Sequence, residues 1–141
     1  MSYFFEVNMN ISAVAKRSGL SAKQIRDYEK MGLLPHAKRS ESGYRIYTED
    51  DLTRLIFISN ARKVDFSLLQ IKQLLMLNDN SNRTSREVKE ITAEQIGKIE
   101  EKITQLQEML GILRHLYAGC HGDENPNCSI LKALHGKQEK A

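Results

Sequence analysis

Apolar residues at Ile96, Ile99, Ile103, Leu106, Leu110, Leu113 and Tyr117 advance in steps of 3, 4, 3, 4, 3 and 4. Glu, Lys and Gln fill the positions between them. That is an a/d heptad seam, a stripe suited to packing on one other helix. The spacing predicts a single long helix over 84–118, opened by Thr84-Ser-Arg-Glu87 in the pattern of a capping box. Its expected partner is its own copy, giving a homodimer. The alternative is that the helix folds back on its own domain. Gly97 and Gly111 interrupt it, each weakening the helix by up to ~1 kcal/mol relative to Ala.

The remainder of the 141 residues has room for one small domain, and 40% apolar content is enough for a packed core. No run approaches the ~18 apolar residues of a membrane helix, so no membrane partner is expected and the protein is expected to be cytoplasmic. The net charge is only +3, but it is unevenly placed. From Met9 to Tyr47 eight Lys or Arg face three acids, whereas from Ser81 onward nine basic residues balance nine acidic ones. A basic N-terminal half suggests an anionic partner. On charge alone, a solvated basic face is the competing reading.

Within that half, Ser12 is the expected N-cap of a first helix closed by Gly19, with Ile11, Val14 and Ala15 as its apolar face. Ser21-Ala-Lys-Gln24 then fits a capping box, and the second helix runs from Ala22 to about Met31, stopped by Gly32. Its apolar positions are Ile25 and, one turn on, Tyr28 or Glu29. Two short helices joined by a Gly turn make a helix-turn-helix, whose second helix can enter a major groove. By spacing alone this is weak, because any small helical domain contains such a pair.

Arg39-Ser-Glu-Ser-Gly43-Tyr-Arg-Ile-Tyr47 reads as a small hairpin, or wing, turning at Ser42-Gly43. Tyr44, Arg45 and Tyr47 bring hydroxyls and a guanidinium suited to phosphate oxygens. Alternatively, the tyrosines of an edge hairpin cap the core. Thr48-Glu-Asp-Asp51 opens a third helix with core positions Leu52, Leu55, Ile56 and Ser59, ending near Lys63. Arg62, near its end, is available for a phosphate. A fourth amphipathic helix follows Phe66-Ser67.

Cys120-His-Gly-Asp-Glu-Asn-Pro-Asn-Cys128 encloses seven residues between two thiols. Soft thiolates select Cu(I) and its congeners, whereas zinc generally takes four donors, and this is not a zinc-finger spacing. His121, Asp123 and Glu124 lie inside the loop and extend the possible donor set. Spacing alone leaves a metal site, a disulfide switch and two unrelated thiols open. An enzyme is disfavoured, since there is no nucleophile–base pairing and no Gly-rich phosphate loop. A helical scaffold with no nucleic-acid role is the alternative from a different class.

Ile11-Ser-x-Val-Ala-Lys-x-Ser-Gly-Leu, Ile25-Arg-x-Tyr-Glu-Lys-x-Gly-Leu and Arg39-Ser-x-Ser-Gly-Tyr-Arg-x-Tyr are three segments of this chain. Together they resemble the MerR family of transcriptional regulators. The heptad helix and the cysteine pair are similar to the family's copper-efflux regulator branch, over Met9 to about Leu131. The resemblance implies a mainly α fold: a winged helix-turn-helix DNA-binding domain (9–80), a long coiled-coil dimerisation helix (84–118), and a metal-binding loop with a short helix (119–131). Residues 1–8 are expected to be an N-terminal extension and 132–141 a polar tail.

The resemblance also implies that Lys23, Arg26, Tyr28, Arg39, Tyr44, Arg45 and Arg62 meet DNA. Cys120 and Cys128 would hold one Cu(I), Ag(I) or Au(I) per loop. Ser85 stands where the family's divalent-metal sensors carry Cys, which argues against zinc, lead or mercury. Asp65, in Val64-Asp65-Phe66, departs from a usual Gly. The implied function is metal-responsive activation of a pseudo-palindromic promoter by a homodimer that distorts double-stranded DNA for RNA polymerase. The alternative is a sensor of a divalent metal or of thiol oxidation.

Overall fold

The computed structural model describes residues 8–35 and 38–136, so most of the expected N-terminal extension and the end of the expected tail lie outside the described residues. The element order is α1 (Ile11–Ser18), α2 (Ala22–Lys30), β1 (Lys38–Arg39), β2 (Arg45–Ile46), α3 (Glu49–Lys63), α4 (Leu68–Asp79), α5 (Ser85–Gly119) and α6 (Ser129–Leu134). The protein is therefore mainly helical, with a helix-turn-helix, a two-stranded wing and a long C-terminal helix. The chain divides into two compact units, Met1–Ile91 and Thr92–Ala141.

In the first unit the helix starts are set by local side-chain bonds. Ser21 accepts the Gln24 N–H at 3.1 Å, and the Gln24 side chain accepts the Ser21 N–H at 2.9 Å. Thr48 and Asp51 make the same reciprocal pair at the start of α3, and Ser67 and Gln70 make it at α4. Each pair satisfies two amides that have no partner inside the helix. At α1 the expected cap is corrected. Asn10 Oδ1, not the Ser12 hydroxyl, accepts the Ala13 N–H at 2.9 Å, and the helix begins one residue before Ser12. Asn is at least as good an N-cap as Ser, because its carbonyl reaches the same amide.

The wing pairs antiparallel, Lys38 with Ile46 and Arg39 with Arg45, around a turn in which Gly43 takes φ +83°. A bridge between Met9 and Tyr47 fastens the hairpin's base to the chain before α1. The core gathers Val14, Ile25, Tyr28, Leu34, Tyr47, Leu55, Ile58, Ile71 and Leu75 from α1 to α4 and the segments between them. Leu52, Leu55 and Ser59 are buried as expected, but Ile56 is exposed and Ile58 takes the inward position. Arg54 ties three segments together. Its Nε donates to the Leu33 carbonyl at 2.7 Å, and its Nη1 donates to both Asp79 oxygens at 3.2 and 3.0 Å.

In the second unit, α5 carries its apolar stripe in the open. Ile96, Ile103, Leu106, Leu110, Leu113 and Tyr117 are exposed and Ile99 is half-buried. At the helix's other end, in the first unit, the Thr84 hydroxyl accepts the Glu87 N–H at 3.4 Å. Among the described residues no helix is long and apolar enough to cross a membrane.

Candidate nucleic-acid interface and metal loop

Lys23 and Arg26 lie three apart on α2, one above the other on the same face, and both are exposed. Gln24 is consumed by the capping box. The opposite face of α2 is Ile25, Tyr28 and Glu29, all buried. Tyr28, expected at DNA, is therefore first a core residue. It is 5% exposed and packed in the hydrophobic cluster, so it has little surface to offer a phosphate.

On the wing, Arg39 is exposed and its Nη1 donates to the Gly43 carbonyl at 3.3 Å, bracing the turn. Tyr44 is 75% exposed at the tip. Tyr47 is not: it is completely buried, and its hydroxyl donates to Glu29 Oε1. That corrects the phosphate role expected for its hydroxyl in favour of the core-capping alternative. Burial first, and then the bond to the Glu29 carboxylate, push the Tyr47 phenol up to about 12. Arg45 lies between the two roles. Its Nη1 is 3.5 Å from Glu29 Oε2 and its side chain is 31% exposed. Arg62 is exposed on the last turn of α3, where its Nη1 donates to the Phe66 carbonyl at 3.2 Å.

Glu29 is the residue whose role the sequence pattern did not reveal. Its signal was an acid on the inward face of a basic helix, one turn after Ile25. Asp65, where the resemblance implies a Gly, takes the left-handed conformation, φ +61°, at the turn between α3 and α4.

Cys120 directly follows α5, and Cys128 is the N-cap residue of α6. Both are free, half-buried thiols, and their sulfurs approach to 3.7 Å. A disulfide requires about 2.05 Å, so this is a converging pair and not a bond. Twice a metal–thiolate distance of about 2.3 Å exceeds that gap, so both sulfurs reach one ion. The donor set therefore fits a soft metal. The backbone N–H of Leu131 holds the Cys128 thiol below its ordinary range, helped by the Cys120 thiol and the Ile130 N–H against a smaller effect of burial. A lowered thiol supplies more of the thiolate that ligates metal.

Two of the loop's polar side chains go to its own backbone. Asp123 Oδ1 accepts the Asn125 N–H at 2.9 Å, and Asn125 Oδ1 accepts the Asn127 N–H at 3.0 Å. Among the described residues no group of three or more His, Cys, Asp or Glu is placed to hold a metal ion. Ser85, the position that separates metal classes in the resemblance, is exposed at the start of α5.

Two family models match the chain up to residue 116. The MerR HTH family regulatory protein model matches residues 9–77, and the MerR, DNA binding model matches 52–116. A protein from Haemophilus influenzae described as a probable heavy metal-dependent transcriptional regulator is 56% identical over 128 residues, covering 91% of this chain and all of its own. The HTH-type transcriptional regulator CueR of Salmonella typhimurium is 42% identical over 128 residues, covering 91% of this chain and 93% of its own. Among solved structures, the transcription regulator PbrR691 from Ralstonia metallidurans CH34, in complex with lead(II), superposes with a TM-score of 0.75. It is 33% identical, over 89% of this chain and 98% of that one. On these matches, and on the helix-turn-helix, wing and long helix that they span, the chain belongs to the MerR family of transcriptional regulators.

Proposed function

We propose that this protein is a heavy-metal-dependent transcriptional activator responding to Cu(I), or to its congeners Ag(I) and Au(I), through Cys120 and Cys128. The observation that carries the reading is a pair of converging free thiols, with no group of three or more His, Cys, Asp or Glu placed to hold a metal ion among the described residues. Two thiolates satisfy a monovalent soft ion, whereas a divalent ion such as zinc takes four donors. The heavy-metal dependence and the CueR name of the relatives point the same way.

The DNA-binding part is residues 9–80, the dimerisation helix 84–118 and the metal loop 119–131. In a dimer formed along α5, two copies of α2 and of the wing meet a pseudo-palindromic promoter. Lys23 and Arg26 reach the groove, and Arg39, Tyr44, Arg45 and Arg62 hold phosphates. When bound, the ion supplies a soft positive charge that joins the end of α5 to the start of α6. Cys120 and Cys128 thereby fix one loop conformation, and only a conformation favoured in this way can bias the dimer toward one promoter shape. Activation is then distortion of promoter DNA into a form that RNA polymerase uses. The compartment is the cytoplasm, where the DNA and the polymerase are.

One observation favours the divalent alternative. A separation of 3.7 Å is what two bonds of about 2.3 Å make at a tetrahedral angle. It needs two further donors, and Ser85 brings a hydroxyl in place of a thiol.

Anaerobic titration of the reduced protein with Cu(I), Zn(II) and Pb(II) decides between them, read by metal–thiolate absorbance and by transcription from a selected operator. The expected result is one Cu(I) per loop, with loss of the transcriptional response in Cys120→Ser and in Cys128→Ser while DNA binding persists. An equal response to Zn(II), or a dispensable cysteine, overturns the copper reading. Ser85→Cys is expected to raise the response to divalent ions.

A further inference from the structure

Among the described residues Glu29 is the one buried carboxylate, 5% exposed. It lies on α2, the helix whose Lys23 and Arg26 face outward. A negative charge there opposes the approach of phosphate, and its burial carries a desolvation penalty. Such a charge persists only where partners offset both terms. Its two partners come from the wing side. The Tyr47 hydroxyl donates to Oε1, and Arg45 Nη1 stands 3.5 Å from Oε2. Tyr47 is anchored in turn, completely buried and bridged to Met9. Arg45 is held differently. Its Nη1 is buried with no hydrogen-bond partner among the described residues, and its charge stands beside both the Glu29 carboxylate and the Tyr47 hydroxyl, while 31% of the side chain stays at the surface.

We propose that Glu29 is a positioning residue for DNA binding: it orients the Arg45 guanidinium and fastens the wing to α2, so that both elements meet the DNA backbone in one arrangement. This rests on the reading that the wing contacts DNA. Two other roles make opposite forecasts. If Glu29 masked Arg45 from phosphate, removing its charge would tighten binding. If it served stability alone, its removal would act equally whether or not Arg45 were present.

The test uses the reduced full-length protein and a short random-sequence DNA duplex, because phosphate contacts do not depend on sequence. Affinity is measured between roughly 50 and 200 mM salt. Arg45→Ala is expected to bind about tenfold more weakly and to lower the salt slope by about one. Glu29→Gln keeps an acceptor for Tyr47 but loses the charge. It is expected to bind roughly three- to tenfold more weakly, with a lower slope, and to add nothing in the Arg45→Ala background. Tighter binding by Glu29→Gln, or the same loss with and without Arg45, overturns the positioning role. If circular dichroism shows that Glu29→Gln is unfolded, Glu29→Asp replaces it, because it keeps the charge but draws it back from Arg45 by one methylene, with the same coupling to Arg45 expected and simple additivity overturning it. Absence of binding by the wild type, or an unchanged slope in Arg45→Ala, overturns the wing's contact with DNA and the positioning role with it.

Discussion

At Tyr47 a phenol is buried completely against a carboxylate, and its proton is held to about 12. The unfolded chain gives that proton up near 10. Between those values the folded protein binds a proton that the unfolded one has lost, so stability falls as pH rises, by up to about 1.4 kcal/mol per pH unit. Below pH 10 the contribution is complete. Urea melts at pH 9, 10 and 11 are expected to show this decline in the wild type and a flatter profile in Tyr47→Phe. An equal decline in both would assign the alkaline loss to other groups. The burial of Tyr47 was legible only as the core-capping alternative, and the partnership of Glu29 with Arg45 was not legible in sequence. The residues lie 18 and 16 positions apart, and only the packing of the wing on α2 brings them together. Tyr44 and Tyr47 read alike as phosphate-binding hydroxyls, yet one is 75% exposed and the other is core. The left-handed turn at Asp65 was legible only through the resemblance, which implies a Gly there, and Asp is among the few residues that tolerate that conformation.

Among the elements, the starts of α2 and α3 could be read residue by residue, since a capping box closes within four positions. The start of α1 was missed by two residues, because Asn10 and Ser12 both carry capping side chains and local pattern does not rank them. The exchange of Ile56 for Ile58 in α3 has another cause: two isoleucines near one helical stripe are separated only by what packs against them. The heptad of α5 was the most legible feature, being a sum over seven positions. Gly97 and Gly111 sit one residue after Ile96 and Leu110, off the seam, and a Cβ at either meets nothing within 4 Å. Gly97→Ala and Gly111→Ala are each expected to stabilise the helix by up to about 1 kcal/mol. Calorimetry should show a higher melting temperature for the double variant, with unchanged affinity between protomers. A lower melting temperature would mean that these glycines admit a close approach by another helix.

For the molecule as a whole, the exposed stripe on α5 is the surface on which the proposed dimer would form. Replacing Ile103 and Leu106 together with Lys is expected to give monomers in sedimentation and to abolish operator binding, since two charges would face each other across a buried seam. A variant that stays dimeric would place the interface elsewhere. The cysteine pair was legible as two soft donors. Which metal they take was not, because donor separation is set by how α5 ends and α6 begins. Cys120 and Cys128 stand 3.7 Å apart across seven residues and so close a small ring of chain. Chain statistics then make the loop tolerant of growth. Doubling a flexible loop raises its closure entropy by only about 0.6 kcal/mol, less than threefold in affinity for whatever the sulfurs hold. The interior of the loop is therefore a stretch in which length and sequence can drift while the two thiols remain, which leaves it open to acquire new contacts without first losing its ligand.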